Sequence, residues 1–126
     1  MAQGLTLDTG ALIAAEKRSP LFFGIVKRSL ERRSVLTVPI TVLAQAWRSG
    51  AVMVARAVNA CAVEPLTTRR AKAIGNLLGK SRTVDIVDAS VVLGAVERRD
   101  AIVTSDPDDI ARLLEALGEK LPIIRI

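Results

Sequence analysis

Gly4-Leu5-Thr6-Leu7-Asp8-Thr9-Gly10-Ala11-Leu12-Ile13 reads as a short strand that hands over to a helix at an aspartate. Leu5 and Leu7 flank Thr6 in a β-compatible run, and Asp8 or Thr9 can cap the helix Gly10 to Lys17. An acid at the carboxyl end of a first strand, followed by a helix, is the opening unit of an α/β sheet that binds ligands at that edge.

The rest of the chain repeats the alternation. Pro20 is placed as a first helical residue. From Leu21 to Arg33 the apolar positions Phe22, Phe23, Val26 and Leu30 share one helical face, with basic pairs opposite. Val35 to Val38 reads as a second strand, and Pro39 starts a helix through Arg48. Ala51 to Asn59 is helical, and Cys61 to Glu64 is a candidate strand closed by Pro65. Thr67 caps a helix Thr68 to Leu78 that Gly79 should stop, leaving Lys80 to Thr83 as a polar loop. Asp85 to Glu97 is apolar on nearly every side beyond its first turn, which places that helix at the centre. Ala101 to Thr104 is a strand, Asp108 to Leu117 a helix, and Pro122 to Ile126 a final edge strand. Strands alternating with helices predict a mainly parallel sheet with helices on both faces, and residues 1–126 as a single domain.

Composition narrows the chemistry. The chain has 126 residues, half of them hydrophobic, which suffices for a core without staples. There is no histidine, which excludes imidazole catalysis and histidine-held zinc. Phe22, Phe23 and Trp47 are the only aromatic residues, which argues against a base-stacking platform. The lone Cys61 and the lack of a signal-like or membrane-length apolar run predict a cytoplasmic protein with no membrane partner. The net charge of +5 suits an anionic partner, and the cations come in pairs: Lys17-Arg18, Lys27-Arg28, Arg32-Arg33, Arg69-Arg70 and Arg98-Arg99.

The aspartates carry the functional reading. Asp8 ends the first strand, Asp106 follows the strand Ala101 to Thr104, and Asp85 and Asp88 share one face of the central helix's first turn. All are expected at one edge of the sheet, with Asp109 within reach. Each has an ordinary structural role available, as a helix cap, a dipole partner or a turn residue. Together, carboxylates in a half-buried site repel one another unless a cation sits among them. With oxygen ligands alone, magnesium or manganese suits the set.

Those residues resemble the PIN domain, in particular the toxin ribonucleases of VapBC toxin–antitoxin pairs. The resemblance rests on Leu7 to Ile13, on Val38-Pro39 leading to Val42 to Arg48, on Val87-Asp88-Ala89, and on Val103 to Asp109. It implies a PIN-like three-layer α/β/α sandwich with a central, mainly parallel sheet. It implies catalytic and metal-binding roles for Asp8, Asp88 and Asp106, with Asp85 and Asp109 as further metal candidates. It also implies an RNA substrate cut by a metal-activated water, a cognate antitoxin and a homodimer. The family places glutamate in the helix after the second strand, where this chain has Gln45. Glutamine carries no charge, so a weakened PIN domain that only binds RNA or antitoxin is the alternative. Asp85 is a candidate to replace the missing carboxylate. Arg48, Lys80 and Arg82 are candidates to grip the RNA backbone. A receiver domain would need an aspartate ending a central strand and a lysine following a late one, whereas Cys61 to Glu64 runs into Pro65-Leu66 and Asp106-Pro107 follows Ser105. A haloacid-dehalogenase-like phosphatase would need an aspartate two residues after Asp8, where Gly10 stands.

Overall fold

In the computed structural model, which describes residues 3–126, the chain folds as an α/β/α sandwich around a five-stranded sheet. The elements in order are β1 (Leu5–Leu7), α1 (Thr9–Glu16), α2 (Pro20–Glu31), β2 (Leu36–Pro39), α3 (Ile40–Ala46), α4 (Val52–Asn59), β3 (Ala62–Glu64), α5 (Thr68–Ser81), α6 (Ile86–Arg98), β4 (Ala101–Thr104), α7 (Pro107–Leu117) and β5 (Ile123–Arg125). The strand order is β3-β2-β1-β4-β5, and every pairing is parallel. Leu5 aligns with Leu36 on one side and Ala101 on the other.

Parallel strands covered on both faces read as continuous apolar runs rather than alternating ones. The four residues of β2 and the four of β4 are all buried, which fits that rule. On one side α6 packs on β1, β2 and β4 and touches α5 and α7. Its Ala89, Ser90, Val91, Val92, Gly94 and Ala95 are buried, so it is the central helix the sequence predicts. Elsewhere α1 packs on β4 and on α2, α3 and α4. No helix among the described residues is long and apolar enough to cross a membrane.

Three local expectations need correction. Leu30 is exposed, and Ser29 is the buried residue of that turn of α2, so the inward face runs Phe22, Ile25, Val26, Ser29. Gly79 does not stop α5, which continues to Ser81. Arg82 takes the left-handed conformation instead (φ 59°, ψ 40°), and both its N–H and that of Thr83 donate to the Leu78 carbonyl. That double closure satisfies the end of the helix, so the glycine costs only propensity, about 1 kcal/mol. Lys80 therefore lies within the helix and not in a loop. The helix expected from Pro39 to Arg48 is shorter, because Trp47 is extended (φ −65°, ψ 132°).

Candidate active site

Because β1 and β4 are parallel neighbours, the residues that leave their carboxyl ends emerge side by side. Asp8 leaves β1 and caps α1, its Oδ1 accepting from the Ala11 N–H at 2.9 Å. Its Oδ2 accepts from the Ser105 N–H at 3.3 Å, in the segment joining β4 to α7. Both oxygens are thus held by backbone, and Asp8 is only 4% exposed. Asp106 begins α7 without a side-chain capping bond, and its own N–H donates to Thr104 Oγ1 at 2.8 Å. Its carboxylate is exposed and not used by its own helix.

Gly10 makes this close approach feasible. A Cβ there would lie 1.9 Å from Ser105 Oγ and 2.5 Å from Ser105 Cβ. The Asp8-Thr9-Gly10 step therefore fits against the β4–α7 turn only because residue 10 has no side chain.

Asp88 sits half-buried in the first turn of α6, three residues after the capping residue Asp85. Asp85 Oδ1 accepts from the Asp88 N–H at 2.9 Å, so one oxygen of Asp85 serves as an N-cap. Burial, and then the charges of Asp85, Asp8, Asp109 and Asp106, push the Asp88 carboxyl up to about 7. Burial also raises Asp8, partly offset by hydrogen bonds from Thr104, Ala11 and Ser105. The expected carboxylates therefore act on one another electrostatically. Among the described residues, however, no three acidic side chains close to a common ion-sized point.

The donor set nonetheless fits a hard divalent cation. It is all oxygen, it is anionic, and burial with mutual repulsion disfavours its charged form, a penalty that a cation would relieve.

Gln45 lies at this edge. Its Oε1 accepts from the hydroxyl of Thr9, the residue after Asp8, at 2.5 Å. Arg48 folds back on α3, Nη1 donating to the carbonyls of Gln45 at 3.0 Å and Trp47 at 2.5 Å. A cleft of about 290 Å³ lies beside the carboxylates, lined by Arg82, Asp85, Asp88, Asp109 and Arg112 among others. Arg82 thus faces the site, whereas Lys80 is not among the lining residues. Thr9, Thr104, Ser105 and Arg112 are site residues that sequence reasoning missed. Arg112, three residues after Asp109 on α7, could have been found from that helical spacing.

Two of the five basic pairs, Arg69-Arg70 and Arg98-Arg99, are engaged by acids of the chain itself. Arg98 bonds Asp100 Oδ2 at 2.9 Å and also pairs with Glu64, which Arg70 meets at 3.2 Å. Arg99 pairs with Glu119 at 2.7 Å. Arg18, Arg33, Arg82 and Arg99 all hold positive φ at helix ends. Arg69, Arg70, Arg98 and Arg99 thus have acidic partners within the chain.

No protein-family model and no curated protein matches the sequence. Solved structures do. The structure of VapBC2 from Rickettsia felis, bound to a DNA fragment from their promoter, matches with a TM-score of 0.70 at 12% identity, over 97% of this chain and 98% of that one. PAE2754 from Pyrobaculum aerophilum matches with a TM-score of 0.66 at 17% identity, over 98% of this chain and 92% of that one. The chain has a VapC-like PIN fold. At these identities the likeness is one of fold and assigns no role to any side chain.

Proposed function

We propose that the chain is a metal-dependent endoribonuclease, the toxin of a type II toxin–antitoxin pair. What supports this reading is that Asp8 and Asp106 follow the carboxyl ends of the neighbouring strands β1 and β4, and that Asp85, Asp8, Asp109 and Asp106 all lie near enough to raise the Asp88 carboxyl.

Asp8, Asp88 and Asp106 would hold magnesium or manganese, with Asp85 and Asp109 as further carboxylates. Such an ion, when bound, activates a water and offsets charge building on the phosphate. The chain supplies the rest. The Ala11 and Ser105 N–H groups fix the orientation of Asp8. Arg82 and Arg112 at the cleft, with Arg48 beside α3, provide cations for the RNA backbone. The VapBC2 structure motivates an antitoxin partner for this chain, and the reading carries a homodimer and a cytoplasmic setting with it.

Gln45 favours a second reading, a PIN-like module that binds RNA or antitoxin with little cleavage. It is a neutral side chain beside Asp8, already engaged by Thr9. Incubating single-stranded RNA with the protein in magnesium, in manganese or in EDTA separates the two. Cleavage that requires a divalent ion supports the nuclease. Salt-sensitive binding without cleavage supports the module.

A further inference from the structure

A second concavity lies at the other end of the sheet. It measures about 570 Å³ and opens between α2 and the amino ends of β1, β4 and β5. Leu5, Pro20, Leu21, Ile25, Pro122 and Ile124 give it apolar walls. Arg28 in the last turn of α2 and Arg32 at its C-cap, four residues apart, also line it, and no acidic residue does. Neither arginine forms an ion pair among the described residues. A third feature is independent of these. Ser29, also in the lining, is 4% exposed and its Oγ has no hydrogen-bond partner among the described residues. A buried hydroxyl normally finds a partner, so its lack marks a place where another molecule can supply one.

We propose that this groove binds a small amphipathic carboxylate, with its apolar body between α2 and β5 and its head at Arg28, Arg32 and the Ser29 hydroxyl. The size is that of a small-molecule pocket, apolar with a few polar groups at fixed positions. Charge selects the head: two unpaired guanidiniums and no competing carboxylate favour an anion. The groove is remote from Asp8 and Asp106, which leave the opposite ends of β1 and β4. The proposal therefore stands or falls independently of the nuclease reading.

Gly24 offers a clean test. It lines the groove, and a Cβ built on it meets nothing within 4 Å. Gly24→Leu thus fills the groove while improving helix propensity. Decanoate and 1-decanol, titrated calorimetrically below micellar concentration, share one apolar body and differ in charge. The expected result is one decanoate per chain, with decanol at least about ten-fold weaker. Gly24→Leu should abolish decanoate binding, and the double variant Arg28→Ala/Arg32→Ala should reduce it to the level of decanol. Ser29→Ala should weaken decanoate as well; a purely structural Ser29 would leave affinity unchanged. Equal affinity for the two probes, or decanoate binding untouched by Gly24→Leu, overturns the proposal. So does a dimer that Gly24→Leu dissociates, which would assign the groove to a second copy of the chain.

Discussion

The Thr9 hydroxyl donates to Gln45 Oε1 at 2.5 Å, tying the residue after Asp8 to the end of α3. This bond puts Gln45 at the carboxylate edge and gives a direct prediction. Glutamate at that position would accept the same proton and add a negative charge beside Asp8. Gln45→Glu should tighten manganese binding by about ten-fold, measured by calorimetry, and raise RNA cleavage with it. An unchanged manganese affinity would place Gln45 outside the ion's reach.

Asp85 has two roles that one substitution separates. Asn caps a helix about as well as Asp, so Asp85→Asn should leave thermal stability within about 0.5 kcal/mol. It also removes one of the charges that raise Asp88. If Asp85 compensates for Gln45, manganese affinity falls several-fold in Asp85→Asn. If Asp85 is a cap alone, affinity holds.

The Asp88 carboxyl lies near 7 in the fold against 3.8 ordinarily. Between those values the folded state binds more protons than the unfolded chain. Stability from this group is therefore present at low pH and is lost as pH rises through that window. With EDTA present, urea unfolding should show the parent weakening toward neutral pH, and Asp88→Asn should flatten that decline. Added manganese should reverse the trend, because the ion competes with protons for the same oxygens.

Gly10→Ala should loosen the joint between Asp8 and Ser105. The new Cβ would overlap Ser105, forcing the β4–α7 turn away from Asp8. The expected cost is about 1–3 kcal/mol in urea unfolding. Gly24→Ala, in open space on α2, should instead stabilise by up to about 1 kcal/mol. Equal effects at the two glycines would contradict the tight packing at Gly10.

The strand-to-helix handover at Asp8 was legible in the sequence because Leu5 and Leu7 flank Thr6 in a β-compatible run and a cap is a local signal. The buried character of α6 was legible for the same reason, since its periodicity disappears when every side is covered. Ser29 and Leu30 were misread because apolar spacing cannot show which helical face meets the sheet. Arg70 and Arg98 were counted among the basic pairs suited to an anionic partner, and only tertiary contacts bring Glu64 and Asp100 to them. Thr104 and Ser105 were missed because their part in the site comes from β4 lying beside β1, a pairing that local sequence does not encode.

The most direct test is manganese titration of the parent and of Asp8→Asn at slightly alkaline pH, followed by calorimetry. The account predicts saturable binding by the parent, and binding by Asp8→Asn weakened by at least about 10–100-fold, which loss of an outer-shell partner alone costs. Manganese bound equally well by both proteins would mean that the carboxylates of Asp8, Asp88 and Asp106 do not share an ion.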